Sequence, residues 1–245
     1  MNSESSSAPR DVFVTTRWTM VLSAGRKSSP HSDRALAELC QTYWYPLYAY
    51  IRRQGRTKED AEDLVQAFFT RFLEKNYLEG LAAERGKFRA FLLASLKHFL
   101  ANEWDRSQAQ KRGGGAEHLS LNWQDADDRF HFDPPDPTNP EKQFDREWAL
   151  ALLDRVLARL ASEYPGDGKA DLFARAKSFL TVGSAAIPYA DVAKELGVEE
   201  GTLRVAVHRL RKRYRELLRS EIAETLADPA LVEEELRSLR AALSR

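Results

Sequence analysis

Residues 187–218 read IPYADVAKELGVEEGTLRVAVHRLRKRYRELL. Ala190, Val192, Ala193 and Leu196 fall on the inner face of a short helix, and Gly197 stands where a tight turn favours a left-handed residue. Val198 is placed to plug that turn. Thr202 begins a second helix whose apolar face is Leu203, Val207, Leu210, Tyr214 and Leu217. The pattern is that of a helix-turn-helix with its second helix set for a major groove. An ordinary helical hairpin with a solvated basic face is the plain alternative. Between Leu203 and Arg215 lie six basic residues (Arg204, Arg209, Arg211, Lys212, Arg213 and Arg215) and no acid. Phosphate neutralisation needs such a cluster, which favours DNA. Arg204, His208 and Arg211 follow each other at i, i+4, i+7 and should share an outward face. Arginine can pair bidentately with guanine, while Arg209, Lys212 and Arg213 are better placed for phosphates. Spacing alone does not separate the base readers from the phosphate holders.

Helical periodicity extends outward from this stretch, and no alternating run is long enough for a sheet. The cleanest helix runs from about Lys58 to Lys75, with Ala61, Leu64, Val65, Phe68, Phe69, Phe72 and Leu73 on one stripe. Thr57, followed by Asp60, caps it. Before it, Ser32 to Gln54 predicts a helix stopped by Gly55 and broken or kinked near Tyr45 by Pro46. TTRWTMVLSAG should add two turns. After the loop NYLEGLAAERGK, a helix from about Phe88 to Arg106 is apolar around most of its girth and so central to its bundle.

Gly113-Gly114-Gly115 then breaks the chain. From Glu117 to Asp145 the acids are Glu117, Asp125, Asp127, Asp128, Asp133, Asp136, Glu141 and Asp145, against Arg129 and Lys142 alone. With DPPDPTNP at its end, this stretch cannot pack a core. Trp123, Phe130 and Phe132 are the exceptions, since aromatic residues in an acidic linker often dock on something. Helices resume from about Glu141 to Leu160 and from Lys169 to about Leu180. A last amphipathic helix follows Pro229. The fold class is therefore all-α: two small helical bundles joined by a flexible acidic linker, the C-terminal one containing the helix-turn-helix. The expected divisions are a tail at 1–14, a first bundle at 15–112, the linker at 113–140, a second bundle at 141–220 and an extension at 221–245.

The 37 basic and 37 acidic residues cancel, so the average hides the segregation that matters. No apolar run approaches the roughly 18 residues needed to span a bilayer. The N-terminal MNSESSSAPR lacks a secretory signal's apolar centre. The single cysteine, Cys40, excludes an internal disulfide and reads as a buried small hydrophobe. The expected compartment is the cytoplasm. His31, His98, His118, His131 and His208 are scattered, and no phosphate loop or Cys/His pair is present. No catalytic residue, cofactor or metal is expected.

The stretch DAEDLVQAFFTRFLEK (60–75) closely resembles the second conserved helix of the extracytoplasmic-function (ECF) sigma factors of bacterial RNA polymerase, in the sigma-70 family. The order of helical domain, linker and C-terminal helix-turn-helix is similar too, over roughly 32–112 and 144–219. The resemblance implies that Asp60, Asp63, Gln66 and Thr70 bind the clamp coiled coil of the polymerase's largest subunit. It implies that Arg85, Lys87, Lys97, His98, Asn102 and Arg106 serve the minus-10 element, where a base is flipped and the non-template strand held. It implies that Thr202, Arg204, His208, Arg209, Arg211 and Lys212 bind the minus-35 duplex. Lys97-His98 departs from the common Arg-Asn, and Ala206 stands where relatives often carry a basic residue. Promoter DNA, core polymerase and an anti-sigma factor are the implied partners. Acids of the linker could mimic nucleic-acid phosphate in the polymerase cleft, against a plain tether. The extension, with Glu233, Glu234 and Glu235 beside an apolar stripe, could be an internal brake or partner dock, against a helix packed on its own domain. The rival function is a stand-alone helix-turn-helix regulator, a repressor or activator with a helical sensor or dimerisation domain. A helical scaffold without DNA leaves the basic cluster unexplained.

Overall fold

The computed structural model describes residues 30–73, 86–109, 123, 126, 130, 139–180 and 188–244. The expected tail, the TTRWTMVLSAG turns, most of the NYLEGLAAERGK loop and most of the linker lie outside them. The described residues form eight α-helices and no strand: α1 Pro30–Arg53, α2 Lys58–Leu73, α3 Phe88–Ala109, α4 Pro140–Ser162, α5 Asp167–Ala176, α6 Tyr189–Leu196, α7 Glu200–Ala223 and α8 Val232–Leu243. The chain is all-α.

α1, α2 and α3 build a front core. Ala61, Val65, Phe68, Phe69 and Phe72 of α2 are buried against Phe88, Leu92, Leu96 and Phe99 of α3. The Thr57 hydroxyl accepts the Asp60 backbone N–H at 3.1 Å, the cap its sequence position implied. Gly55, at φ 84°, takes the left-handed conformation just past the end of α1. Of the break or kink expected near Tyr45, the break is absent: α1 is one helix with Pro46 inside it. Packing explains this. An internal proline costs about 3 kcal/mol, whereas burying a large apolar side chain returns roughly 1.5–3 kcal/mol. Tyr43, Leu47, Tyr48 and Ile51 are all fully buried around it.

A second core gathers Val156 and Leu160 of α4, Ala176, Phe179, Ala193 of α6, and Leu203, Val207, Leu210 and Leu217 of α7. α4 threads both cores. Asn139 starts it, its side-chain oxygen accepting the Lys142 N–H at 3.0 Å, with Pro140 in the first turn. Phe144, Trp148, Ala149 and Leu152 then enter the front core, before Val156 and Leu160 enter the rear one. A buried ion pair ties the same helix to α1: Arg53 Nη2 lies 3.0 Å from Glu147 Oε1, with side chains 3% and 7% exposed.

Upstream of α4, Trp123, Ala126 and Phe130 of the acidic stretch are described, and all lie on the front core. Trp123 meets Trp44 edge-on at 5.0 Å, Ala126 is buried, and the Arg52 guanidinium sits 4.8 Å above the Phe130 ring. Phe132 and the acids from Asp125 to Asp136 fall outside the described residues.

The chain after α7 returns to the front bundle. Ile222, Leu226 and Leu239 are buried in the front core, with Leu231, Val232, Leu236 and Leu243 against it. Residues 86–88 and 225–227 pair as a short antiparallel bridge, the Phe88 N–H donating to the Thr225 carbonyl at 2.9 Å. The extension packs, but across the front core as well as on α4 and α7.

Candidate nucleic-acid and polymerase interfaces

The turn between α6 and α7 follows from Gly197. At φ 65° it lets the Val198 N–H reach the Ala193 carbonyl (3.0 Å) and its own N–H the Lys194 carbonyl (3.2 Å), both orphan acceptors of α6. Val198 does not plug the turn. It is 38% exposed, because these backbone bonds already close the corner. α7 begins at Glu200, two residues before Thr202, and Thr202 lies on its exposed first turn.

The basic cluster of α7 divides into paired and outward residues. Arg204 donates to Glu200 at 2.6 Å and 2.8 Å, and its guanidinium lies 4.5 Å from the Tyr189 ring centre. Arg213 forms a bidentate pair with Glu163, the C-cap of α4, at 2.6 Å and 2.8 Å. That hydrogen bonding holds the Glu163 carboxyl below its ordinary pKa and the Arg213 guanidinium above its own. Arg211 departs from the outward face expected for it. It is half-buried, and its Nε and Nη2 donate to the Phe179 carbonyl at 3.1 Å and 2.9 Å. That carbonyl belongs to the turn of 3-10 helix Lys177–Leu180, which packs against α7, so the guanidinium is drawn inward. Lys212 reaches Glu216 only at 4.0 Å. Thr202, His208, Arg209 and Arg215 are exposed. Val205, 51% exposed, sits among them at helical spacing from Thr202, His208 and Arg209. Apolar periodicity alone did not single it out, since it lies off the stripe of Leu203 and Val207.

On α2 the buried stripe turns the acids outward. Asp60 and Asp63 are exposed and meet no cation among the described residues, while Gln66 and Thr70 are half-buried beside them. On α3, Lys97, His98 and Asn102 are exposed, with Asn102 Nδ2 3.2 Å from His98 Nδ1. Lys97 is paired with Glu141 of α4, which raises its pKa. Lys87 lies 2.8 Å from Glu234 and 2.7 Å from Glu235 of α8. Burial works against the charge on Lys87, but these two hydrogen bonds outweigh it and its pKa is raised. Arg85 and the side chain of Arg106 lie outside the described residues.

Arg89 is the residue that sequence reasoning missed. It joins three helices: Nε to Glu235 of α8 at 2.5 Å, Nη1 to Asp145 of α4, and its guanidinium 4.7 Å from the Trp148 ring centre. Glu235 is completely buried. A signal for it existed: Glu235 interrupts the apolar face made by Val232, Leu236 and Leu239, where a solvated acid has no place.

Among the described residues, no group of metal-ligating side chains gathers, and no helix is long and apolar enough to cross a membrane. Cys40 is fully buried, which raises its thiol pKa, so it is a packing residue.

A family model described as ECF sigma factor matches residues 32–220. No curated protein and no solved structure matches the chain. The match spans both cores and most of the chain, as the resemblance of the 60–75 helix implied. The chain belongs to the ECF sigma factor family, DNA-binding proteins of transcription initiation that direct promoter-specific transcription.

Proposed function

We propose that the chain docks on core RNA polymerase through the acidic face of α2, with Asp60, Asp63, Gln66 and Thr70 against basic groups of the largest subunit's clamp coiled coil. The α3 face, with Lys87, Lys97, His98, Asn102, Arg85 and Arg106, takes the minus-10 non-template strand, where bases stack and phosphates are neutralised. α7 enters the minus-35 major groove. Thr202, Arg204, His208, Arg209 and Lys212 serve as its contacts, and Arg211 holds the helix from behind. Val205 adds an apolar contact suited to a thymine methyl. Anti-sigma control, common among relatives, would act by covering the α2 face.

What supports this reading most is one chain carrying an exposed acidic helix face and an exposed cationic one, on separate cores, within a family match that spans both. The test is transcription by purified core polymerase on a pool of genomic fragments, with and without the chain. New start sites that share two spaced upstream elements support the proposal. An unchanged transcript set removes it.

A further inference from the structure

The geometry points to a self-clamp: α8 occupies, with Glu234 and Glu235, both Lys87, which the proposed function gives to the promoter strand, and its neighbour Arg89, and strand binding displaces it. The inference rests on that reading for Lys87 and on the structure for the rest. Lys87 immediately precedes α3 and Arg89 stands in its first turn. Both are held by one stretch of α8, Lys87 by Glu234 and Glu235, Arg89 by the two oxygens of Glu235 at 2.5 Å and 3.4 Å.

Three observations separate a clamp from simple packing. First, a carboxylate presenting both oxygens to a guanidinium makes the bonds a phosphate would make, so the occupant and the expected ligand compete for the same donors. Second, the segment has an anchor besides the charges. The apolar residues Ile222, Leu226 and Leu239 already anchor the segment in the front core, and a buried ion pair is rarely better than an apolar one of equal size. Third, the pattern recurs. Lys97, further along the same helix, is held by Glu141 of α4. Lys87, Arg89 and Lys97 thus all meet acids of other helices, Glu234 and Glu235 of α8 and Asp145 and Glu141 of α4, whereas His208 and Arg209 of α7 remain outward. The backbone bridge at Lys87 and Leu226 sets the register of the clamp directly beside these cations.

The test uses the full-length chain and a fluorescent single-stranded oligonucleotide of mixed sequence. Removing an internal competitor raises apparent affinity by the inverse of the open fraction, so E234Q/E235Q is expected to bind about tenfold more tightly than the unaltered chain. Adding K87A should return it to weak binding. Unchanged affinity in an E234Q/E235Q protein of normal helicity overturns the clamp. Loss of the fold in that variant is met by a measurement on the unaltered chain. Amides of residues 232–243 should lose hydrogen-exchange protection when the oligonucleotide is saturating. Full retention of that protection overturns the clamp equally. A chain that opens on the strand yet drives no transcription with core polymerase keeps the clamp and removes the sigma reading of α3.

Discussion

The front and rear cores carry similar numbers of arginines and lysines on their long helices, but they use them differently. On α3, Lys87, Arg89 and Lys97 are bound by carboxylates from α4 and α8, distant in sequence. On α7, Arg213 and Arg219 also pair with carboxylates of other segments, Glu163 and Glu233, but Arg204 is held by a neighbour one turn away, and His208 and Arg209 face outward. A cation paired across the molecule contributes to its shape. A cation left at the surface is available to a partner. The same residue type therefore does different work from one position to the next, and the outward face of α7 at His208 and Arg209 is the part that no described segment folds back upon.

The largest effect tests whether the cores are mechanically one unit. Trp148→Ala removes a fully buried ring from α4 and the surface on which Arg89 lies, for an expected loss of about 3–5 kcal/mol. Urea denaturation should show one transition moving to lower concentration, because α4 threads both cores. Two separate transitions, with only the first displaced, would break the picture of a shared helix.

Next comes the buried pair between α1 and α4. Glu147→Ala strands the Arg53 guanidinium, with an expected cost of about 3 kcal/mol. Replacing both partners with Met and Leu should recover most of it. No recovery in the double variant would mean that the charges themselves hold the joint.

In the rear core, Arg209→Ala should leave thermal stability within about 0.5 kcal/mol, as for an exposed residue without buried contacts. It should lower promoter output by about tenfold, the effect of losing about 1.4 kcal/mol of contact with the DNA backbone. Arg211→Ala should instead lower the melting temperature, because its guanidinium holds the Phe179 carbonyl. If the two variants exchange these phenotypes, the division between inward and outward arginines is wrong.

The smallest effect is on pH. Glu163 has its pKa depressed by Arg213, so its contribution is present above the ordinary carboxylate value and fades as pH falls through the lower folded value. Both side chains are about one-third exposed or more, which keeps the effect slight. Melting curves below roughly pH 4 should lose a little stability that Glu163→Gln lacks at every pH. An identical acid response in the two proteins would show that this pair contributes nothing.

The helices were legible because each signal is local. The stripe from Ala61 to Phe72, the Thr57 cap and the Gly197 turn act within a few residues, and all fall where periodicity and capping place them. Pro46 does not end the helix, because a dense aromatic core outweighs the local rule. Val198 misled because its backbone, and not its side chain, closes the turn. The cross-chain pairs were out of reach. Nothing in Arg89 or Glu235 taken separately announces a partner 146 residues away, although an acid on the apolar stripe of α8 marks one as needed. The exposed faces of α2 and α7 were readable as patterns, and Val205 becomes visible only once burial is known.

The central claim is that α2 presents an acidic surface to the polymerase. Fluorescence titration of purified core enzyme with the labelled chain, alongside Asp60→Ala/Asp63→Ala, tests it directly. The unaltered chain should bind and the double variant should bind at least tenfold more weakly with its helicity unchanged. Equal binding by both proteins, or none by the unaltered chain, would contradict it.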